Sequence, residues 1–114
     1  MRIRWTEPAS RDLTQICDYL SKVDSGATAR RVAILIYERV HTLTEFPELG
    51  RPGRKAGTRE LIVTGLPYPT IYRLRGEAIE ILRILHGAQV WPTNGDKESA
   101  QQRHVGNGEE ETRP

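Results

Sequence analysis

Two segments in the first half of the chain repeat apolar residues at the three- and four-residue spacing of a helix. The first predicts a helix over about 8–22, capped by Thr6 and with Pro8 in its first turn, where the missing N–H costs nothing. The second predicts a helix over about 27–45 that Pro47 stops. Their apolar stripes are Leu13, Ile16, Cys17 and Leu20, and Val32, Leu35, Ile36, Val40, Leu43 and Phe46. The break at Asp24-Ser25-Gly26 is short and offers a new helix cap, so the two helices are expected to form an antiparallel hairpin.

Four other segments have the character of strands. Residues 2–5 alternate polar and apolar side chains before the first helix. Segments 61–63, 70–72 and 79–85 are rich in β-branched and aromatic residues and are separated by hairpin-length turns, which predicts a three-stranded antiparallel meander. The last segment is apolar on both faces and is expected inside the sheet, whereas Pro69 indicates an edge or a bulge at the start of its strand.

These elements predict an α+β fold: an N-terminal strand, an antiparallel two-helix hairpin and a three-stranded antiparallel meander packed on the helices. Residues 48–57 contain three glycines and a proline and are expected to form a loop. The domain is predicted to span 1–92. The polar, acidic segment 93–114 is predicted to be a flexible tail, because it has too few apolar residues to offset its ordering entropy.

Length and charge narrow the class of protein. The 114 residues fit a single domain, and no apolar run approaches the ~18 residues of a membrane span. The single cysteine, Cys17, excludes an intramolecular disulfide, so a cytoplasmic protein folded by packing alone is expected. Residues 1–92 carry 14 Lys and Arg against 10 Asp and Glu, whereas the tail carries 3 against 5. A basic body favours an anionic partner or an acidic protein surface.

Nothing in the sequence indicates a cofactor. Nucleotide-binding glycine loops, hydrolase elbows and zinc signatures are missing from it. The three histidines, His41, His86 and His104, lack the spacing of metal ligands. No metal and no other cofactor is therefore expected.

A basic cluster lies where the predicted loop leads into the meander. It consists of Arg51, Arg54, Lys55 and Arg59, with no acid between them. Because guanidinium groups bind phosphate and carboxylate in a forked geometry, the cluster can be a clamp for either group or for an acidic partner. The alternative is a solvated loop with no binding role.

The last predicted strand carries two further candidates. Arg83 sits among apolar residues, so it must pair with a carboxylate such as Glu60 or Glu80, reach the sheet edge, or face an open groove. His86 ends the strand before a glycine, so it lies either at the mouth of a cleft or as an ordinary surface or core residue. The aromatic residues Tyr72 and Trp91 are expected in the core.

Several short motifs follow one another along the chain. They are a strand ending in Trp5, Ala9…Asp12-Leu13…Ile16…Tyr19-Leu20, Leu43…Phe46-Pro47…Gly50-Arg51, Arg59-Glu60-Leu61…Val63, Pro67-Tyr68…Ile71-Tyr72-Arg73, and Ile79…Ile81-Leu82-Arg83-Ile84-Leu85-His86-Gly87…Trp91-Pro92. In this order and spacing the chain resembles the RelE/ParE superfamily of toxins from bacterial type II toxin–antitoxin modules, over 1–92 and closest to the ParE branch. The fold of that superfamily agrees with the one predicted above.

The resemblance implies one of two activities. RelE-like toxins cut messenger RNA on the ribosome, which requires a base, cations for the phosphate and an acid. In this chain Arg59, Arg73 and Arg83 would hold the phosphate, and His86 would be the acid or base. However, the stretch 87–91 contains neither the arginine nor the tyrosine of those nucleases, and the Trp91 N–H does not titrate in water.

The lack of this arginine and tyrosine favours a non-enzymatic, ParE-like toxin that arrests growth by inhibiting DNA gyrase, as in plasmid-stabilisation systems. The alternatives are a ribosome-dependent mRNA endoribonuclease and a non-toxic binding module of the same fold. The resemblance also implies a cognate ParD- or RelB-like antitoxin, whose acidic C-terminal segment would lie along the helices and near Arg59, Arg73 and Arg83. Operator DNA would be contacted only through the antitoxin.

Overall fold

The computed structural model describes residues 1–87 and 91–92. The chain forms a five-stranded sheet with two helices, in the order β1 (Arg2–Trp5), α1 (Glu7–Val23), α2 (Gly26–His41), a 3₁₀ turn (Thr42–Thr44), β2 (Arg51–Pro52), β3 (Thr58–Leu61), β4 (Thr70–Arg75) and β5 (Ala78–Ile84). The predicted α+β fold is confirmed. The predicted tail 93–114, which includes His104, lies outside the described residues.

Local capping explains where the two helices begin. The Thr6 hydroxyl accepts a hydrogen bond from the Ala9 amide at the start of α1, and Ser25 accepts one from the Thr28 amide at the start of α2. The end of α2 differs from the prediction, since the helix stops at His41 rather than near residue 45. There the Thr42 and Thr44 hydroxyls donate to carbonyls three residues earlier, which favours a tighter 3₁₀ turn.

The sheet has the strand order β1-β5-β4-β3-β2. β3, β4 and β5 form the predicted antiparallel meander, and β5 is interior because β1 pairs with it in parallel on its other side. β4 is also interior, so the expectation of an edge at Pro69 is wrong. A register shift between Ile71 and Tyr72 leaves Leu82 of β5 unpaired, so the bulge lies in β5 and not at Pro69.

The sequence predicts a loop over residues 48–57, but Arg51 and Pro52 within it form the short edge strand β2. Its register pairs Arg51 with Glu60 and Pro52 with Arg59 of β3. Proline is tolerated at this position because an edge strand leaves one side of its backbone unpaired.

The hydrophobic core lies between the helices and one face of the sheet. Its buried members are Ala9, Leu13, Ile16, Val32, Ile36, Val40, Leu43, Leu61, Val63, Tyr72, Ile79, Ile81 and Ile84. Two residues predicted on the apolar stripe of the second helix are instead exposed, Leu35 and Phe46. Phe46 follows the end of the helix, so the helical spacing no longer determines where its side chain points.

The buried ring of Tyr72 fixes the connection between the helices and β2. Its hydroxyl donates to the Pro47 carbonyl at 2.8 Å and accepts from the Gly50 amide at 2.8 Å. Gly50 packs so closely that a Cβ atom there would lie 2.7 Å from the Cε1 atom of Tyr72. The backbone therefore requires glycine at this point because of close approach to a buried ring.

We expect the substitution Gly50→Ala to reduce the free energy of unfolding by about 1–3 kcal/mol, because the added methyl group overpacks a buried site. Gly26→Ala is the matched control, since a Cβ atom there meets nothing within 4 Å. That control should leave stability unchanged or slightly raised. Urea unfolding followed by circular dichroism measures both. Equal stability of the two variants would contradict the close packing described here.

Candidate functional site

The sheet face turned away from the helices carries a row of three charged side chains across three strands. Arg4 of β1, Glu80 of β5 and Arg73 of β4 occupy paired register positions. Arg73 Nε donates to Glu80 Oε1 at 2.6 Å, and Arg4 binds Glu80 Oε2 through Nε and Nη2. The carboxylate is buried and neutralised from both sides.

The ionisation of Glu80 reflects this position. Burial by itself would raise the pKa of the carboxyl, but the hydrogen bonds and charges of Arg4 and Arg73 outweigh burial, so the pKa lies below its ordinary value of 4.5. Glu80 is therefore an anion that links three strands at neutral pH.

The same face collects further arginines. Because side chains alternate along a strand, Arg2 and Arg75 share the face of Arg4 and Arg73. Arg51 lies there too, bound to Glu60 at 2.9 Å. Sequence reasoning missed Arg2, Arg4 and Arg75. The alternation of residues 2–5 placed Arg2 and Arg4 on one face of a strand, but only the parallel pairing with β5 brings them beside Arg73 and Arg75.

Arg83 is paired in register with Ile71, which shares the open face with Arg73, and its guanidinium reaches Asp12 of α1. Its Nε and Nη2 atoms donate to the two oxygens of Asp12 at 2.7 and 3.1 Å. Asp12 also accepts from the Ile84 amide at 2.9 Å. Arg83 is thus paired with a carboxylate, as one of the sequence alternatives required, but the partner is Asp12. Glu60 and Glu80, suggested from the sequence, bind other arginines.

Arg59 lies on the helix side of the sheet, because it is paired in register with the buried Tyr72. Its Nη1 atom donates to the carbonyl of Gly50 at 2.8 Å and to that of Glu48 at 3.3 Å. These bonds hold the same connection that Tyr72 fixes.

The basic cluster predicted from the sequence is thus divided by the sheet. Arg51 lies on the open face, whereas Arg59 lies on the helix side. Lys55 stands over the buried ring of Trp91, with its Nζ atom 5.9 Å from the ring centroid. Arg54 is exposed. The four residues therefore do not form one clamp.

His86 lies at a cleft of about 460 Å³ between α1 and the end of β5, lined by Gln15, Ile16, Tyr19, Tyr68, His86 and Gly87. Its Nε2 atom is 3.8 Å from Asp12 Oδ1. Among the sequence alternatives for His86, the position at a cleft is the one observed. Tyr72 and Trp91 are buried, as expected.

A second groove, of about 520 Å³, separates β1 from α2 and is lined by Ile3, Trp5, Tyr37, Glu38, Val40 and His41. The rings of Trp5 and Tyr37 line the groove and pack against each other at a tilt of 55°, with centroids 5.0 Å apart. β1 is an edge of the sheet. The groove therefore joins an apolar floor to a strand with one unpaired side.

Within residues 1–87 and 91–92, no three potential metal ligands are grouped to hold an ion. Over the same residues, neither helix has the length and apolar character needed to cross a bilayer.

Comparison with known proteins identifies the family. Residues 3–91 match the family of ParE toxins of the type II toxin–antitoxin system parDE. The chain belongs to this family, and the predicted RelE/ParE relationship is confirmed.

Three relatives support the assignment. Y4kP of Sinorhizobium fredii is 46% identical over 80% of this chain and 93% of its own length. Toxin RelE2 and toxin ParE3 of Caulobacter vibrioides are 36% and 34% identical, over 78% and 75% of this chain and 98% and 86% of their own lengths. Relatives of this chain are thus named both as RelE toxins and as ParE toxins.

Two solved structures share the fold. One is a chromosomal ParDE system from P. aeruginosa, with a TM-score of 0.69 and 31% identity over 74% of this chain and 92% of that one. The other is the toxin–antitoxin complex RelBE2 from Mycobacterium tuberculosis, with a TM-score of 0.53 and 25% identity over 75% and 96%. The protein is therefore a type II toxin of the RelE/ParE fold.

The Asp12–Arg83 pair generates a stability prediction. We expect Asp12→Asn to lower the free energy of unfolding by about 3–5 kcal/mol, because it removes the negative charge that binds the largely buried Arg83 guanidinium. Glu7→Gln, which breaks the exposed pair with Arg11, is the control and should have little effect. Urea unfolding of both variants measures these free energies. A similar loss of unfolding free energy in the two variants would contradict the prediction.

Glu80 generates a prediction about pH. Because its folded-state pKa is lowered, its contribution to stability is present above the ordinary value of 4.5 and is lost as the pH falls through the folded-state pKa. Glu80→Gln should therefore be less stable than the unmodified chain at pH 7, with a difference that shrinks below pH 4.5. The exposed Glu77→Gln variant is the matched control and should have nearly the stability of the unmodified chain at pH 7. Urea unfolding between pH 3 and 7 measures the three curves, and a constant difference would contradict the assignment.

Proposed function

We propose that this toxin arrests growth by inhibiting DNA gyrase and is neutralised by a cognate antitoxin. The observation that supports a binding mechanism over RNA cleavage is the division of the candidate catalytic arginines between the two sides of the sheet. The family relationship makes gyrase the preferred target.

RNA cleavage requires several cations and an acid or base around a single phosphate. Arg73 and Arg83 lie on the open face by register, whereas Arg59 lies on the helix side. One phosphate cannot contact both sides of a sheet. Each of the three guanidinium groups also holds part of the fold, through Glu80, the carbonyls of Glu48 and Gly50, or Asp12.

The antitoxin surface follows from the exposed apolar side chains on the helices and from the groove at β1. Tyr19 and Val23 on α1, and Ile34, Leu35 and Tyr37 on α2, are all exposed. A helical segment with apolar anchors would cover these side chains, and an extended segment would add to the free edge of β1. Acidic residues in that segment would meet Arg2 and Arg4, which flank the edge. Operator DNA would then be contacted through the antitoxin, and the toxin would act in the cytoplasm.

One observation favours the alternative function, an mRNA endoribonuclease. His86 lies at a cleft near the carboxylate of Asp12, with Tyr19 and Tyr68 in the walls. A carboxylate beside a histidine can orient the ring for an acid or base role. The test must therefore address both targets.

The experiment compares the purified chain with its His86→Gln variant in two assays: supercoiling by DNA gyrase, and primer extension on a message under translation. We expect both proteins to inhibit gyrase with similar potency, because His86 has no role in binding gyrase in this proposal. Trapped cleavage complexes and an intact message would accompany inhibition.

Cuts confined to the translated message, lost on His86→Gln substitution and with gyrase unaffected, would overturn the proposal in favour of the nuclease. If the soluble chain affects neither target and does not arrest growth, the proposal is overturned in favour of a non-toxic binding module of the same fold.

A further inference from the structure

One exposed segment of the toxin has no part in the surfaces described above. It is the turn of residues 45–49, Glu45-Phe46-Pro47-Glu48-Leu49, which we call the acidic turn. Phe46 is 57% exposed and Leu49 is 42% exposed, although the sequence pattern predicts Phe46 on the buried stripe of a helix. Both side chains line the same surface depression, and exposed apolar side chains grouped in this way are typical of an interaction site.

The backbone of the acidic turn is held in one conformation. The Leu49 amide donates to the Phe46 carbonyl at 3.1 Å, which closes a four-residue turn with Pro47 at its second position. The Tyr72 hydroxyl binds the Pro47 carbonyl, and Arg59 binds the Glu48 carbonyl. A turn held in this way loses little conformational entropy when a partner binds it.

The charge of the acidic turn identifies the kind of partner. Glu45 and Glu48 are exposed, and neither forms a salt bridge within the part of the chain that the structure describes. The rest of the domain is basic. Two free carboxylates beside the apolar pair repel nucleic acid and an acidic antitoxin segment alike.

We infer that the acidic turn is a recognition element for the toxin's protein target, and that it binds an apolar pocket bordered by lysine and arginine. Phe46 and Leu49 enter the pocket, and Glu45 and Glu48 pair with its basic border. The inference rests on the proposed function in one respect, namely that DNA gyrase is the protein used as the probe.

The test compares inhibition of purified DNA gyrase by the full chain and four variants. The double substitution Phe46→Ala with Leu49→Ala should raise the concentration for half-inhibition at least tenfold, and so should Glu48→Lys. The matched controls are Ile62→Ala, which removes another exposed apolar side chain, and Glu77→Lys, which reverses another exposed carboxylate. Both controls should remain within twofold of the unmodified chain. Equal inhibition by turn variants and controls would overturn the inference.

Two further measurements on the same proteins separate the possible failures. The turn variants should keep the thermal stability of the unmodified chain and should still co-purify with the co-expressed antitoxin. A loss of stability or of antitoxin binding would overturn the inference that the acidic turn acts only in binding the target. Sedimentation should show one oligomeric state for all variants. A dimer lost only in the turn variants would mean that the turn binds a second copy of this chain, which also overturns the inference.

If the unmodified chain does not inhibit gyrase, the proposed function fails, and growth arrest in cells becomes the readout. Arrest lost in the turn variants but kept in the controls would then support the recognition element with another target. Arrest kept in all variants, or absent from the unmodified chain, would overturn it.

Discussion

The interior strand β5 carries two charged residues of opposite sign, and the side chains that neutralise them join neighbouring strands and the first helix to it. Glu80 faces the open side of the sheet, where Arg4 and Arg73 bind it from the strands on either side. Arg83, further along the strand, is bound by Asp12 of α1. A buried charge without a partner costs roughly several kcal/mol, so the folded protein must make both sets of contacts. The sheet register and the position of α1 are therefore coupled through β5.

This coupling has a consequence for function. Arginines that complete the fold are committed to fixed partners, so they are poorly suited to exchange those partners for a phosphate during a reaction. The surfaces left for recognition have different chemistry: an arginine-rich open face, an apolar groove along an edge strand, and a rigid acidic turn with exposed Phe46 and Leu49. Such separated surfaces suit a toxin that must bind an antitoxin and a target.

Local chemistry made much of the fold predictable. Thr6 and Ser25 cap their helices through contacts within three residues, and the apolar periodicity placed both helices close to their observed bounds. The errors occur where short-range signals compete. The Thr42 and Thr44 hydroxyls tighten the end of α2 before Pro47 can stop it. Pro52, which looked like part of a loop, is accommodated in β2 because that strand is an edge with an unpaired side.

Apolar periodicity was enough to predict the class of fold and the interior position of β5, and the cost of burying a charge limited Arg83 to a carboxylate partner, the sheet edge or an open groove. Tertiary structure alone decided which acid pairs with Arg83, since Asp12 is 71 residues away along the chain. It also decided that Arg59 and Arg73, fourteen positions apart, lie on opposite faces. The face on which a side chain lies depends on strand register, and register is set by contacts between segments distant in the sequence.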